Sequence, residues 1–113
     1  MIIVEVYYRA KPGKRAEILE LAKDNIAKSR QEKGNLSYSH YPSFENDQDV
    51  FVFEKWEEAE DLIAHTKMPH HQAFSAARRP LLEDGSFKIT VWDSTVNEAT
   101  TNFGTGFVKE NIN

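Results

Sequence analysis

The sequence predicts an α+β fold, a four-stranded antiparallel sheet with its helices on one face. Two observations predict it. Segments with the alternation of a strand and segments with helical periodicity follow one another as strand, helix, strand, strand, helix pair, strand. Strands one and three are apolar or aromatic on both alternation sets, so each face of the sheet needs a cover.

The first strand is Ile2 to Tyr8, β-branched and aromatic, with Ile3, Glu5 and Tyr7 alternating against Val4, Val6 and Tyr8. Lys11-Pro12-Gly13 ends it. From Lys14 to Lys33 the residues Ile18, Leu21, Ala22 and Ile26 recur at helical spacing and Ser29 continues the stripe, while Glu17, Glu20, Lys23, Asp24 and Lys28 face away. Gly34 stands where a left-handed residue would stop that helix.

Leu36 to Tyr41 and Val50 to Trp56 read as a hairpin around the polar turn region Pro42 to Asp49. On the second of these strands Val50, Val52, Glu54 and Trp56 share one face, and Phe51, Phe53 and Lys55 the other. Glu58 to Thr66 predicts a short helix with Ala59, Leu62 and Ile63 inward. Pro69 suits the first turn of a further helix to about Leu82, with a stripe of His71, Phe74, Ala77 or Arg78, and Leu81. Asp84-Gly85 turns the chain into a last strand, Phe87 to Trp92.

This βαββαβ order closes most economically as a ferredoxin-like sheet. A second copy of the same sheet is the simplest cover for the open face, which predicts a homodimer. Residues 1–95 are expected to form the one domain. Residues 96–113 are rich in Thr, Asn and Gly, with Phe103, Phe107, Val108 and Ile112 as isolated anchors, and cannot build a core. They form either a frayed tail or an arm across the partner subunit.

With 113 residues, a net charge of -4 and scattered basic residues, the chain lacks the clustered Lys and Arg of a nucleic-acid-binding face. The absence of cysteine removes thiolate catalysis and iron-sulfur ligation. The first strand begins at Ile2 with no basic leader, and no apolar run approaches about 18 residues, so a cytoplasmic protein without membrane contact is expected. There is no G-x-G-x-x-G, P-loop, G-x-S-x-G or H-E-x-x-H motif.

Four fragments stand in a fixed order: Glu32-Lys33-Gly34-Asn35-Leu36-Ser37-Tyr38, Glu54-Lys55-Trp56, His65, and His71-Gln72-Ala73-Phe74. Together they resemble the antibiotic biosynthesis monooxygenase family of small oxygenases over roughly the first 95 residues of the chain. The resemblance implies a dimer whose two sheets pack into a dimeric α/β barrel, and oxygenase chemistry with neither metal nor flavin. It also implies that His65 is the functional polar residue of the pocket and that Asn35 shapes the turn.

Residue spacing alone leaves His65 open between a helix-end histidine capping carbonyls in water and a pocket residue. His70 is expected at the surface, and His71 shares a stripe with Phe74. A metal site is not expected: the histidines are five and one residues apart across a proline, and no carboxylate lies at a matching spacing. Glu54 is either a rim carboxylate in an ion pair or a desolvated one, with Arg30, Arg78, Arg79 or a histidine as partner. Trp56 is a core anchor or the wall of an aromatic-binding pocket, and Tyr38 an ordinary strand tyrosine or a hydroxyl aimed into it.

The expected chemistry is a cofactor-independent monooxygenase acting on a small quinol, polyphenol or enolisable aromatic with dioxygen. His65 would be the base, and Tyr38, Glu54, Trp56, His71 and Phe74 would bind substrate. Two alternatives remain: an isomerase of a small phosphorylated carbonyl compound on the same fold, and a non-catalytic ligand-binding or stress-response module. Haem-degrading relatives usually carry an Asn on the first strand. Ile2-Ile3-Val4-Glu5-Val6-Tyr7-Tyr8 has none.

Overall fold

A computed structural model describes residues 1–94. The segment 96–113, expected to be a tail, lies outside the described residues. The elements run β1 (Ile2–Arg9), α1 (Arg15–Ser29), β2 (Asn35–Pro42), β3 (Asp49–Trp56), α2 (Ala59–Thr66), α3 (Pro69–Arg78), a 3₁₀ turn (Arg79–Leu81) and β4 (Lys88–Asp93). The strands pair antiparallel in the order β2-β3-β1-β4, and the expected ferredoxin-like sheet is found.

Register follows from which side chains can be buried. Ile2 lies opposite Trp56, Val4 opposite Glu54, Val6 opposite Val52 and Tyr8 opposite Val50, so one set of side chains from each strand faces the helices. That set joins Ala10, Ile18, Ala22, Tyr38 and Phe74 in a single core. The other face stays open. There Tyr7, Tyr41 and Trp92 are half exposed, and Tyr7 packs on Phe51 with ring centroids 4.8 Å apart.

Four local expectations are corrected. Helix α1 ends at Ser29 rather than Lys33, because the α ladder gives way to tighter bonds from Gln31 N–H to the Lys28 carbonyl and Glu32 N–H to the Ser29 carbonyl. Residues 31–33 are therefore a turn, and Gly34, with φ of 80°, closes it. On the buried side of α1, Leu21 is 40% exposed and polar Asn25 is inside. Asn25 is stabilised there because its amide donates to the Tyr38 hydroxyl at 2.9 Å and its carbonyl accepts from Ser29 Oγ.

In α2 the residues facing inward are Asp61 and His65, with Leu62 half-buried, whereas Ala59 and Ile63 lie outside. Polar partners from elsewhere in the chain outweigh the apolar stripe. Helix α3 starts at Pro69 as expected but ends at Arg78. Pro80 has no N–H to extend the ladder, and the chain tightens into the 3₁₀ turn. None of the described helices is long and apolar enough to cross a membrane.

Candidate functional site

Between the sheet and helices α2 and α3 lies a cavity of about 120 Å³. Val4, Val6 and Val52 form its floor, Leu62, His65, His71 and Phe74 come from the helices, and Tyr38, Glu54 and Arg78 supply polar atoms. Phe87 and Ile89, both exposed, border its mouth beside β4. A larger groove of about 440 Å³ runs along the open face past Tyr7, Tyr41 and Phe51. It gathers no histidine.

His65 is in the last turn of α2, and its ring is sandwiched in the core rather than set in water. Its centroid is 4.8 Å from Trp56, 5.4 Å from Tyr38 and 4.5 Å from His71. Nδ1 lies 2.9 Å from Glu32 Oε2. An ionised carboxylate can only accept, so the hydrogen sits on Nδ1, and in the neutral ring Nε2 is left as an acceptor. Nε2 is buried without a hydrogen-bond partner, as is Nδ1 of His71. Two orphaned ring nitrogens on the walls of one cavity are what an absent polar ligand would leave.

Glu32 owes its position to the turn that ends α1. Its side chain is 6% exposed, and the same Oε2 also meets His70 Nε2 at 2.5 Å. His70 is therefore not the surface residue expected: its side chain is only 11% exposed, held against a carboxylate 38 residues away. This carboxylate is also the one that spacing did not reveal. Glu32, His65 and His70 present three donor atoms within 4.8 Å of one another, a grouping made by the fold and not by spacing along the chain.

Burial lifts the Glu54 carboxyl above its usual range, countered in part by the hydrogen bond that Trp56 Nε1 donates to Oε1 at 3.0 Å. The partner is thus the indole two residues along the strand, with Arg78 and His65 acting through space. Burial also drives His71 down to about 4, with the nearby positive ends of His65 and Arg78 adding to it, so His71 is neutral at pH 7. The Tyr38 phenol is raised well above its ordinary value by desolvation and by Glu54. It stays a neutral hydroxyl.

Arg78 brings a buried positive charge to the cavity. Its guanidinium carbon sits 5.1 Å from the Tyr8 ring, 4.8 Å from Phe74 and 5.0 Å from Phe87. Aromatic faces hold the cation where water cannot, while burial pulls its pKa down.

Of the residues singled out from the sequence, His65, Tyr38, Glu54, His71 and Phe74 come together around the cavity. Trp56 backs His65 and anchors Glu54 from the core; it is not among the cavity's lining residues. Asn35 donates its side-chain amide to the Ser37 carbonyl at 3.1 Å, within β2 at the register shift between these two residues. Glu32 and His70 were not recognised as site residues. The only sequence signal for Glu32 was its place in the Glu-x-Gly turn.

The antibiotic biosynthesis monooxygenase family model matches residues 1–77. YcnE of Bacillus subtilis, which carries the provisional name of a monooxygenase, is 32% identical over 82 residues, covering 73% of this chain and 86% of that one. An uncharacterised protein of Synechocystis sp. is 33% identical over 73 residues, 65% of this chain and 50% of its own length. Among solved structures, Rv0793 of Mycobacterium tuberculosis superposes with a TM-score of 0.74 at 25% identity, covering 81% of this chain and 92% of that one. With the family model matched over residues 1–77 and YcnE 32% identical over 73% of this chain, the chain belongs to the antibiotic biosynthesis monooxygenase family.

Proposed function

We propose that the protein is a cofactor-independent monooxygenase oxidising a single-ring quinol, polyphenol or enolisable aromatic with dioxygen, with His65 as the base. The observation that carries this reading is the buried, unpartnered Nε2 of His65 on the cavity wall, its ring oriented by Glu32 at Nδ1. A base must have a free lone pair in reach of the substrate and a fixed tautomer, and this arrangement supplies both. Tyr38, Glu54, His71 and Phe74 are assigned to substrate binding. Trp56 is assigned to holding His65 and Glu54 in place.

Deprotonating a quinol hydroxyl at Nε2 makes the ring the better reductant, and Arg78 is placed to stabilise the anion. A hydroquinone and dioxygen then balance as a hydroxyquinone and water, with the ring supplying all four electrons and no external reductant. Size narrows the substrate. An apolar cavity of roughly 150 Å³ holds one benzene. The 120 Å³ here encloses no more than one ring, with the remainder of the substrate reaching out past Phe87 and Ile89.

The test is oxygen-electrode turnover on a panel of single-ring quinols and catechols. Dioxygen uptake equal to quinol consumed, undiminished by chelator, is the expected result. Turnover without dioxygen would favour the isomerase, and no turnover but tight binding the non-catalytic module.

A homodimer through the open face belongs to the same proposal. The supporting observation is the ladder of Tyr7, Tyr41, Phe51 and Phe53 on that face, with Trp92 half exposed beside it. Sedimentation at micromolar concentration is expected to give twice the chain mass; a fully folded monomer would overturn it.

A further inference from the structure

Besides the nitrogen that faces the cavity, His65 has a second one, and around it the fold gathers a complete donor set. Glu32 Oε2, His65 Nδ1 and His70 Nε2 lie within 4.8 Å of one another. We propose that these three residues form a binding site for a divalent transition ion of the zinc class, and that the bound ion silences the His65 base. The site itself stands apart from the oxygenase function; only its inhibitory consequence rests on that function.

The donor chemistry selects the ion. Two imidazoles and one carboxylate form a known three-residue zinc set that leaves a fourth position open, whereas calcium and magnesium prefer all-oxygen shells. The donors come from three separate elements: the turn after α1, the last turn of α2 and the first turn of α3. Folding therefore assembles them before any ion arrives. Both nitrogens converge on one oxygen, at 2.9 and 2.5 Å. Around a tetrahedral ion with bonds of about 2.0–2.2 Å, donors sit roughly 3.3–3.6 Å apart, so the carboxylate oxygen must move outward while the two ring nitrogens, now within 4.8 Å of each other, draw together around the ion.

An independent observation concerns the other carboxylate oxygen. Glu32 Oε1 is buried and has no hydrogen-bond partner, so the two histidines do not exhaust this side chain. A carboxylate serving only as their acceptor leaves that desolvated oxygen uncompensated, and an ion bound through both oxygens compensates it. His70, 11% exposed, is the way in from solvent.

An ion on Nδ1 displaces the hydrogen from that nitrogen. The neutral ring then carries its hydrogen on Nε2 and becomes a donor to the cavity, unable to take a substrate proton. The orienting carboxylate is engaged at the same time.

The experiment titrates the tag-free protein with zinc against a chromophoric chelator, and with cobalt as a spectroscopic substitute. One ion per chain is expected, with cobalt absorbing more strongly in the visible than the aqueous ion. Glu32→Gln and His70→Gln are each expected to weaken binding by roughly a hundredfold or more, beyond what a group outside the coordination shell contributes. Absence of stoichiometric binding, or binding undiminished in both variants, overturns the site. Because Glu32→Gln risks the fold, His70→Gln, on the first turn of α3, carries the decision alongside its thermal midpoint. Quinol turnover is read separately: loss at one equivalent of zinc in the wild type supports inhibition, and zinc bound with turnover unchanged overturns it. A wild type that turns over no quinol removes the oxygenase and its inhibition, while the titration still decides the site.

Discussion

His65→Ala is expected to lower kcat of the proposed quinol oxidation by roughly a hundredfold or more, the usual scale of one general acid-base group. The effect is expected in kcat, with KM changed little, since proton transfer contributes to the transition state and not to holding the ring. Stability will fall as well. His65 is 1% exposed, and removing its ring leaves a void beside Trp56 and a buried Glu32 carboxylate with His70 as its remaining partner, at a cost of roughly 1–3 kcal/mol. The two effects separate by rescue: added imidazole should enter the void and restore part of the turnover. A lower thermal midpoint with kcat unchanged would remove His65 from the mechanism.

Gly34→Ala is expected to be the most destabilising small substitution in the described chain. Gly34 has φ of +80°, and a Cβ there would collide with the Asp61 carboxylate. Asp61 has little room to yield, since its oxygens accept from Lys33 Nζ at 3.0 Å and from the Glu58 N–H at 3.2 Å. Backbone strain and overpacking together are expected to cost about 2–4 kcal/mol, a large fraction of a small domain's stability. That corresponds to a midpoint lower by roughly 8 °C or more. Gly13→Ala is the control, with φ of +78° but nothing within 4 Å of its Cβ, so the difference between the two variants isolates the collision. Equal midpoints for both would show that Asp61 moves aside. The same turn carries Glu32, so a shifted Gly34 should also disturb the His65 contact.

Strand positions were legible because burial on a sheet has a period of two and a single correct register. Val4, Val6, Val50, Val52 and Trp56 alternate in the sequence, and they alternate in the fold. The cavity residues on those strands and on the Phe74 stripe could be named for the same reason. Helix α2 was not legible to that depth. Its apolar residues Ile63 and Ala59 pointed to one face, yet Asp61 turns inward, accepting from the Glu58 N–H at the start of the helix, and His65 turns inward onto Glu32. The end of α1 was missed for a related reason: Gly34 marks where the turn closes, and the ladder had already given way after Arg30.

By itself the sequence determined the order of elements, the sheet, the family signature and most of the cavity wall, all of which depend on local periodicity or on neighbours a few residues apart. Only the tertiary structure decided that Glu32 meets His65 across 33 residues and His70 across 38. It likewise decided that Arg78 lies among three aromatic rings and that the His65 and His71 nitrogens are left without partners. Such contacts have no period along the chain. They arise where a turn, a helix end and a helix start are packed into one place, and burial then determines which polar atoms find a partner.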